Sequence, residues 1–271
     1  MSAYDSGGGG FVAPRITPVV KTLVIANAAV WLALLLADIV VRGSMSGAVG
    51  ALGLRPSSWF VGPPWFPFWQ PVTYGFLHAG RGHLFWNMLQ LYFFGTLLES
   101  ILGSRRFLAT YVGAMLVGAL AHLLLQPLVN ANAPAIGASG AVLGVVIATA
   151  VLRPNTTVIL LFIPVTLKWL AIGIVALDVI GALQGLRGQL DGLARWVHLG
   201  GAGFGFLAAR RGWVWLDPIE RVQRRRERSA RSKRISEDEQ MDQLLAKISR
   251  EGMNSLSRSE KAFLKRVSSR R

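Results

Sequence analysis

The sequence predicts an all-α integral membrane protein of six transmembrane helices with a polar, basic tail. Three observations carry this. Of 271 residues, 52% are hydrophobic and 16% charged, with a mean hydropathy of +0.43, whereas an ordinary soluble domain has about 25% charged residues. The charge is also uneven, since residues 210–271 hold 18 of the 29 Lys and Arg and 9 of the 14 Asp and Glu. The charge-poor remainder divides into apolar stretches close to the roughly 20 residues that cross about 30 Å of hydrocarbon.

Each element follows in order. Residues 1–17 are Gly-rich and polar and form a flexible N-terminal segment. No small-residue cleavage site follows the first apolar stretch, so no cleaved leader is expected. Span one runs from Val19 to Val41. The connection 42–81 is rich in Gly, Pro and Trp (Trp59, Trp65, Trp69, with Pro63, Pro64 and Pro67), an aromatic density that suits a loop lying partly among lipid headgroups. Span two is Gly82–Leu102 and span three Phe107–Leu125. Span four starts at Ser139 and is stopped by Arg153-Pro154. Span five follows Pro164 and ends near Leu183, and span six is Ala194–Ala209. Residues 155–163, apolar but bounded by two prolines, are expected as a short hydrophobic loop. The six-helix domain is thus 18–211, and 212–271 is the tail. In the tail, Ser236 with Glu239 and Ser257 with Glu260 read as two capping boxes. Between them Gly252 breaks the helical pattern, which predicts a small helical hairpin.

Charge also orients the chain. Arg105-Arg106, Arg153 with Lys168, and Arg210-Arg211 fall on one side, together with the tail. Both termini are therefore expected in the cytoplasm, with the protein multi-pass in the inner (plasma) membrane. The formal charge of +15 suggests nucleic acid, but +9 of it (18 minus 9) follows the last apolar segment directly. The positive-inside rule puts it there, so the expected partner is the bilayer and not nucleic acid. The absence of cysteine excludes a disulfide scaffold.

Ionisable groups inside a membrane are costly, so each is a functional candidate. The chain has four histidines, His78, His83, His122 and His198. None is followed by the Glu that an H-E-x-x-H zinc site needs, and neither a metal nor another cofactor is expected. Asp38 and Asp178 are the only acids placed for an aspartyl pair, and Lys168 is far from any suitable serine. Serine with histidine remains. Ser139 lies 14 residues before Arg153 and His198 lies 12 before Arg210, about 21 and 18 Å of helix. Both even-numbered spans run the same way, which gives the two side chains similar depth. Gly140 and Gly144 on span four, and His198, Gly201 and Gly205 on span six, fall on single helix faces that permit close backbone approach. His83 and Asn87 are i and i+4 neighbours opening span two. With the Ser139 amide, they can supply the donors that a developing oxyanion needs. His122 reads as a buried, hydrogen-bonded histidine and Asp178 as an interhelical hydrogen bond, with a role in orienting His198 as its lesser alternative.

Gly137-Ala138-Ser139-Gly140, the distal His198-Leu199-Gly200-Gly201, and His78-x4-His83-x3-Asn87 together resemble the rhomboid intramembrane serine proteases over residues 18–210. The resemblance implies a six-helix rhomboid fold with a membrane-lying first loop, Ser139 as nucleophile and His198 as general base, in a dyad without an acidic third member. It implies His83, Asn87 and the Ser139 amide as the oxyanion site and a structural role for His78. Trp69 and Thr73 match the membrane-lying loop. Gln70 stands where the family often has Arg, and Leu143 where Tyr or Phe is usual. The expected activity is hydrolysis of peptide bonds in transmembrane segments of other proteins. The alternatives are an inactive rhomboid-like protein that binds or escorts membrane proteins, whose relatives typically lack the serine or histidine, and a transporter, for which broken helices and an internal repeat are not evident.

Overall fold

The structure is a computed structural model that describes residues 14–60, 66–129, 133–160, 163–189, 194–215 and 218–268. Residues 1–13, together with Pro63, Pro64 and Trp65 of the 42–81 connection, lie outside the described residues. The chain divides into two compact units, residues 1–216 and 217–271.

In the first unit, α1 (Pro18–Val40) begins with proline, which needs no N–H acceptor at that position. Glu99 takes the next two amides, from Val19 at 3.1 Å and Val20 at 3.0 Å. A buried carboxylate from a distant helix therefore caps α1 and faces the positive end of its dipole. Leu32, Leu36 and Ile39 are exposed along α1. Lipid tails are as apolar as leucine, so such a face carries no penalty in a bilayer.

The 42–81 connection is more ordered than its Gly and Pro content suggests. It holds α2 (Ser44–Leu52), α3 (Pro56–Phe60) and α4 (Gln70–Thr73), the last continued by a 3₁₀ turn to Phe76. Gln70 anchors it from a buried position. Its Oε1 accepts the Trp59 indole N–H at 3.1 Å and the Arg55 amide at 3.4 Å, and its Nε2 donates to the Ala51 carbonyl at 3.5 Å. The Trp69 indole donates to the same carbonyl at 2.9 Å, and the Thr73 hydroxyl donates to the Leu52 carbonyl at 2.7 Å. A neutral amide thus serves as a three-way anchor, because it can both donate and accept.

The next stretch is α5 (Arg81–Gln90), a π turn (Leu91–Gly95) and α6 (Thr96–Leu102), followed by α7 (Ser104–Leu125). α8 (Ser139–Leu152) is buried from Gly140 to Ala150, as expected of a helix that is apolar all round. The segment expected as a loop after it is instead an antiparallel ribbon. β1 (Thr157–Leu160) pairs with β2 (Ile163–Thr166) in the register Thr157↔Thr166 to Leu160↔Ile163. The run is rich in Thr, Val and Ile, which suit an extended backbone, and Pro164 is tolerated because a two-stranded ribbon is all edge. The all-α description therefore holds apart from this ribbon. α9 (Leu167–Leu186) and α10 (Arg195–Arg210) complete the bundle, in which α10 packs against both α7 and α8. Among the described residues, three helices are long and apolar enough to cross a membrane, Pro18–Val40, Ser104–Val129 and Leu167–Leu186, while Ser139–Leu152 is a shorter apolar helix.

The second unit is α11 (Pro218–Glu251) and α12 (Arg258–Ser268). α11 runs unbroken through Ser236, where a helix start is expected, because no Pro or Gly interrupts residues 219–251. At Ser257 the cap does form. Glu260 Oε2 accepts the Ser257 amide at 2.6 Å, and Ser257 Oγ accepts the Glu260 amide at 3.3 Å. The Ser257 amide, then Lys247 at 3.1 Å, holds the Glu260 carboxyl below its usual range. Leu244, Leu256 and Phe263 form a small buried cluster between the two helices.

Candidate active site

Ser139 is the first residue of α8, so its backbone N–H has no acceptor within the helix and points out of the positive end of the helix dipole. The strand of chain that delivers it is held from outside. Leu54 and Ala135 exchange backbone hydrogen bonds at 3.0 and 2.8 Å, and the Gly137 amide donates to the Tyr74 carbonyl at 2.8 Å. The buried Tyr74 hydroxyl in turn donates to the Met115 carbonyl of α7 at 2.8 Å. Both clamps on the approach to Ser139 thus come from the 42–81 connection.

Gly137 has φ +114°, a conformation that favours glycine. A Cβ there would also meet Cε1 and Nε2 of His83 at 2.7 Å. The His83 imidazole edge therefore lies directly on the turn that launches Ser139. The Ala79 amide reaches His83 Nδ1 at 3.4 Å. An Nδ1 that accepts leaves the ring proton on Nε2, the nitrogen facing that turn. His78 packs edge-on against His83 with ring centroids 5.0 Å apart. Burial, then the neighbouring His83, pushes the His78 imidazole down to about 4, so it stays neutral. Asn87 is buried one turn along α5, and its Nδ2 donates to the His83 carbonyl at 2.9 Å. A primary amide carries two N–H groups, so one remains for another acceptor.

His198 comes from the first turn of α10. Its Nε2 lies 2.8 Å from Ser139 Oγ. The close approach of α8 and α10 rests on glycine. A Cβ on Gly201 would fall on the Gly140 carbonyl and one on Gly205 on the Gly144 carbonyl, while Val197 fills the space beside Gly140. Leu143 is buried one turn beyond Ser139 in the same core, and Trp69 stays at the loop, bonded to Ala51.

Asp178 makes the interhelical bond expected of it, and its partners include His198. Asp178 Oδ1 lies 2.9 Å from His198 Nδ1 and accepts Arg195 Nη1 at 2.8 Å. An acidic group therefore does sit on the far nitrogen of the histidine, contrary to the two-residue arrangement that the resemblance implies. The signal was available in the spacing. Asp178 lies 10 residues after Lys168, about 15 Å of helix, against about 18 Å for His198. His122 is buried in α7. Among the described residues no group of three or more His, Asp or Glu is placed to hold a metal ion.

The chain is similar to known proteins over much of the first unit. Residues 66–214 match the family described as Rhomboid domain. Residues 227–270 match a separate family of unknown function. The chain is 34% identical over 160 residues to Rhomboid protein 1, mitochondrial, of Saccharomyces cerevisiae, covering 57% of this chain and 44% of the yeast protein. It is 31% identical over 152 residues to RHOMBOID-like protein 12, mitochondrial, of Arabidopsis thaliana, covering 51% and 44%. It is 35% identical over 94 residues to Rhomboid protease GluP of Bacillus subtilis, covering 35% and 17%. Each match spans less than half of the relative's own length.

Proposed function

This chain belongs to the rhomboid family of membrane proteins, and from that premise we propose that it is an intramembrane serine endopeptidase. The observation that carries the reading is the 2.8 Å contact between Ser139 Oγ and His198 Nε2. Nucleophile and base at hydrogen-bond distance are the signature of an activated serine.

In this mechanism Ser139 Oγ attacks the carbonyl carbon of the scissile bond while its proton passes to His198 Nε2. The oxyanion forms against the Ser139 amide, His83 Nε2 and the second N–H of Asn87. Collapse breaks the C–N bond, His198 returns the proton to the leaving amine, and an acyl-Ser139 ester remains. Water, deprotonated by the same His198, then hydrolyses the ester and restores Ser139. The substrates are transmembrane segments of other proteins. A helix in lipid ties up its own carbonyls, so segments with helix-weakening residues near the outer face are the ones attacked. Labelling of the detergent-solubilised chain by an alkyl fluorophosphonate, with the adduct on Ser139, supports the proposal. A folded chain that stays unlabelled overturns it.

Oxyanion donors are typically worth about 10²–10³ in turnover. Asn87→Ala is therefore expected to cleave a single-span reporter about that much more slowly while retaining its fold. A normal rate would remove Asn87 from the oxyanion site.

The proposal also includes six spans, the shorter α8 and α10 among them, a membrane-lying first loop, and both termini on the cytoplasmic side of the inner membrane. The Arg-rich stretch Arg221–Arg234 supports that orientation. A single cysteine replacing Ser232 should resist an impermeant maleimide in intact cells, whereas one replacing Ser57 should react. The reverse labelling would invert the topology.

A further inference from the structure

We infer that Asp178 is a positioning residue that sets the tautomer of His198, so that the working unit is a relay of Arg195, Asp178, His198 and Ser139. The inference rests on the serine-protease reading above.

A carboxylate only accepts hydrogen bonds. Asp178 Oδ1 at 2.9 Å from His198 Nδ1 therefore requires the proton on Nδ1. A neutral imidazole has one proton, so Nε2 is left bare and faces Ser139 Oγ at 2.8 Å as an acceptor. That is the tautomer a general base needs. When the Ser139 proton arrives, the imidazolium forms against a carboxylate already in place, which stabilises the charge.

The environment of Asp178 fits this task. Its side chain is only 4% exposed, and a buried carboxylate is retained where a cation and further hydrogen bonds offset its desolvation. Arg195 supplies both, donating to the same Oδ1 at 2.8 Å. α9 is shaped to admit it. Gly181 lies three residues on, over the same face, and a Cβ there would meet Arg195 Nε at 2.5 Å and Cζ at 2.8 Å. The guanidinium thus lies along the bare backbone of α9 to reach the acid. An ion pair whose only task was to tie α9 to α10 would not need its acceptor oxygen shared with the histidine that contacts Ser139. Among the described residues, Asp178 from α9 and His83 from α5 face His198, and Arg195 from its own helix pairs with Asp178.

The test uses the full-length protein in detergent with an alkyl fluorophosphonate as probe. In Asp178→Asn the amide oxygen can still accept from both Arg195 Nη1 and His198 Nδ1, but the negative charge that stabilises the imidazolium is gone. The inactivation rate at saturating probe should fall about 10²–10⁴-fold, with little change in probe affinity. The acidic limb of its pH profile should move to lower pH, since the imidazolium loses its counter-ion. A purely structural pair would move neither the rate nor the limb. Independently of any variant's folding, ¹⁵N NMR of the histidine-labelled wild type, assigned against His198→Asn, should find Nδ1 protonated and Nε2 bare in the neutral ring. A wild type that ignores the probe overturns the protease reading and this inference together. A reactive wild type with the proton on Nε2, or with Asp178→Asn equally fast and its limb unmoved, overturns this inference alone.

Discussion

Ser139→Ala is expected to abolish both fluorophosphonate labelling and reporter cleavage while leaving the bundle assembled. The substitution removes one oxygen from the start of α8, and that oxygen's described contact is with His198 Nε2. The surfaces that hold α8 in place, Gly140 to Ala150, are untouched. Loss of the nucleophile in a serine–histidine enzyme costs about 10⁶ in turnover, and losing the base costs about as much, because the two act as one unit. His198→Ala should therefore be nearly as inactive, and the double variant no worse than either single one. The measurement is cleavage of a single-span reporter beside thermal unfolding of the same samples. Turnover in Ser139→Ala within tenfold of the wild type would refute serine chemistry at this position.

Gly201→Val carries the largest expected structural effect. A Cβ at Gly201 falls on the carbonyl of Gly140, which is backbone and cannot rotate away. The helices must separate, and the Ser139–His198 contact separates with them. Overpacking typically costs about 1–3 kcal/mol and occasionally more. Here the upper end or beyond is expected, since no side chain can yield. The same substitution at Gly203 is the internal control. Gly203 lies on the same helix, is exposed, and an added Cβ meets nothing within 4 Å. Thermal unfolding in detergent should be lowered strongly in Gly201→Val and little in Gly203→Val. Equal stability of the two would mean that α8 and α10 do not pack through this face.

The helices were largely legible because their signals are local. Arg153-Pro154 marks the end of α8 and Gly252 the end of α11, and in both cases the backbone chemistry of the residues themselves stops the helix. The misreadings were also local. Two prolines around 155–163 indicated only that no helix could form there, and strand pairing depends on two segments meeting, which spacing along one segment does not report. Ser236 carries a capping sequence, yet the residues before it are good helix formers and α11 continues through it.

The site divides in the same way. Ser139 and His198 could be set at one depth from the sequence because the rise of a helix is fixed and charge pins the ends of the spans. Their hydrogen bond could not, since it depends on Gly140 and Gly201 bringing two helices to backbone contact. Likewise the sequence by itself determined that Asp178 lies in an apolar segment, where an acid needs a partner. Only the tertiary structure decided that this partner is His198 Nδ1 together with Arg195, and that Leu54 and Tyr74 clamp the approach to Ser139. The physical reason is one of range. Helix propensity, membrane partition and depth are sums over neighbouring residues, whereas an acceptor within 3 Å is chosen by how separate helices pack.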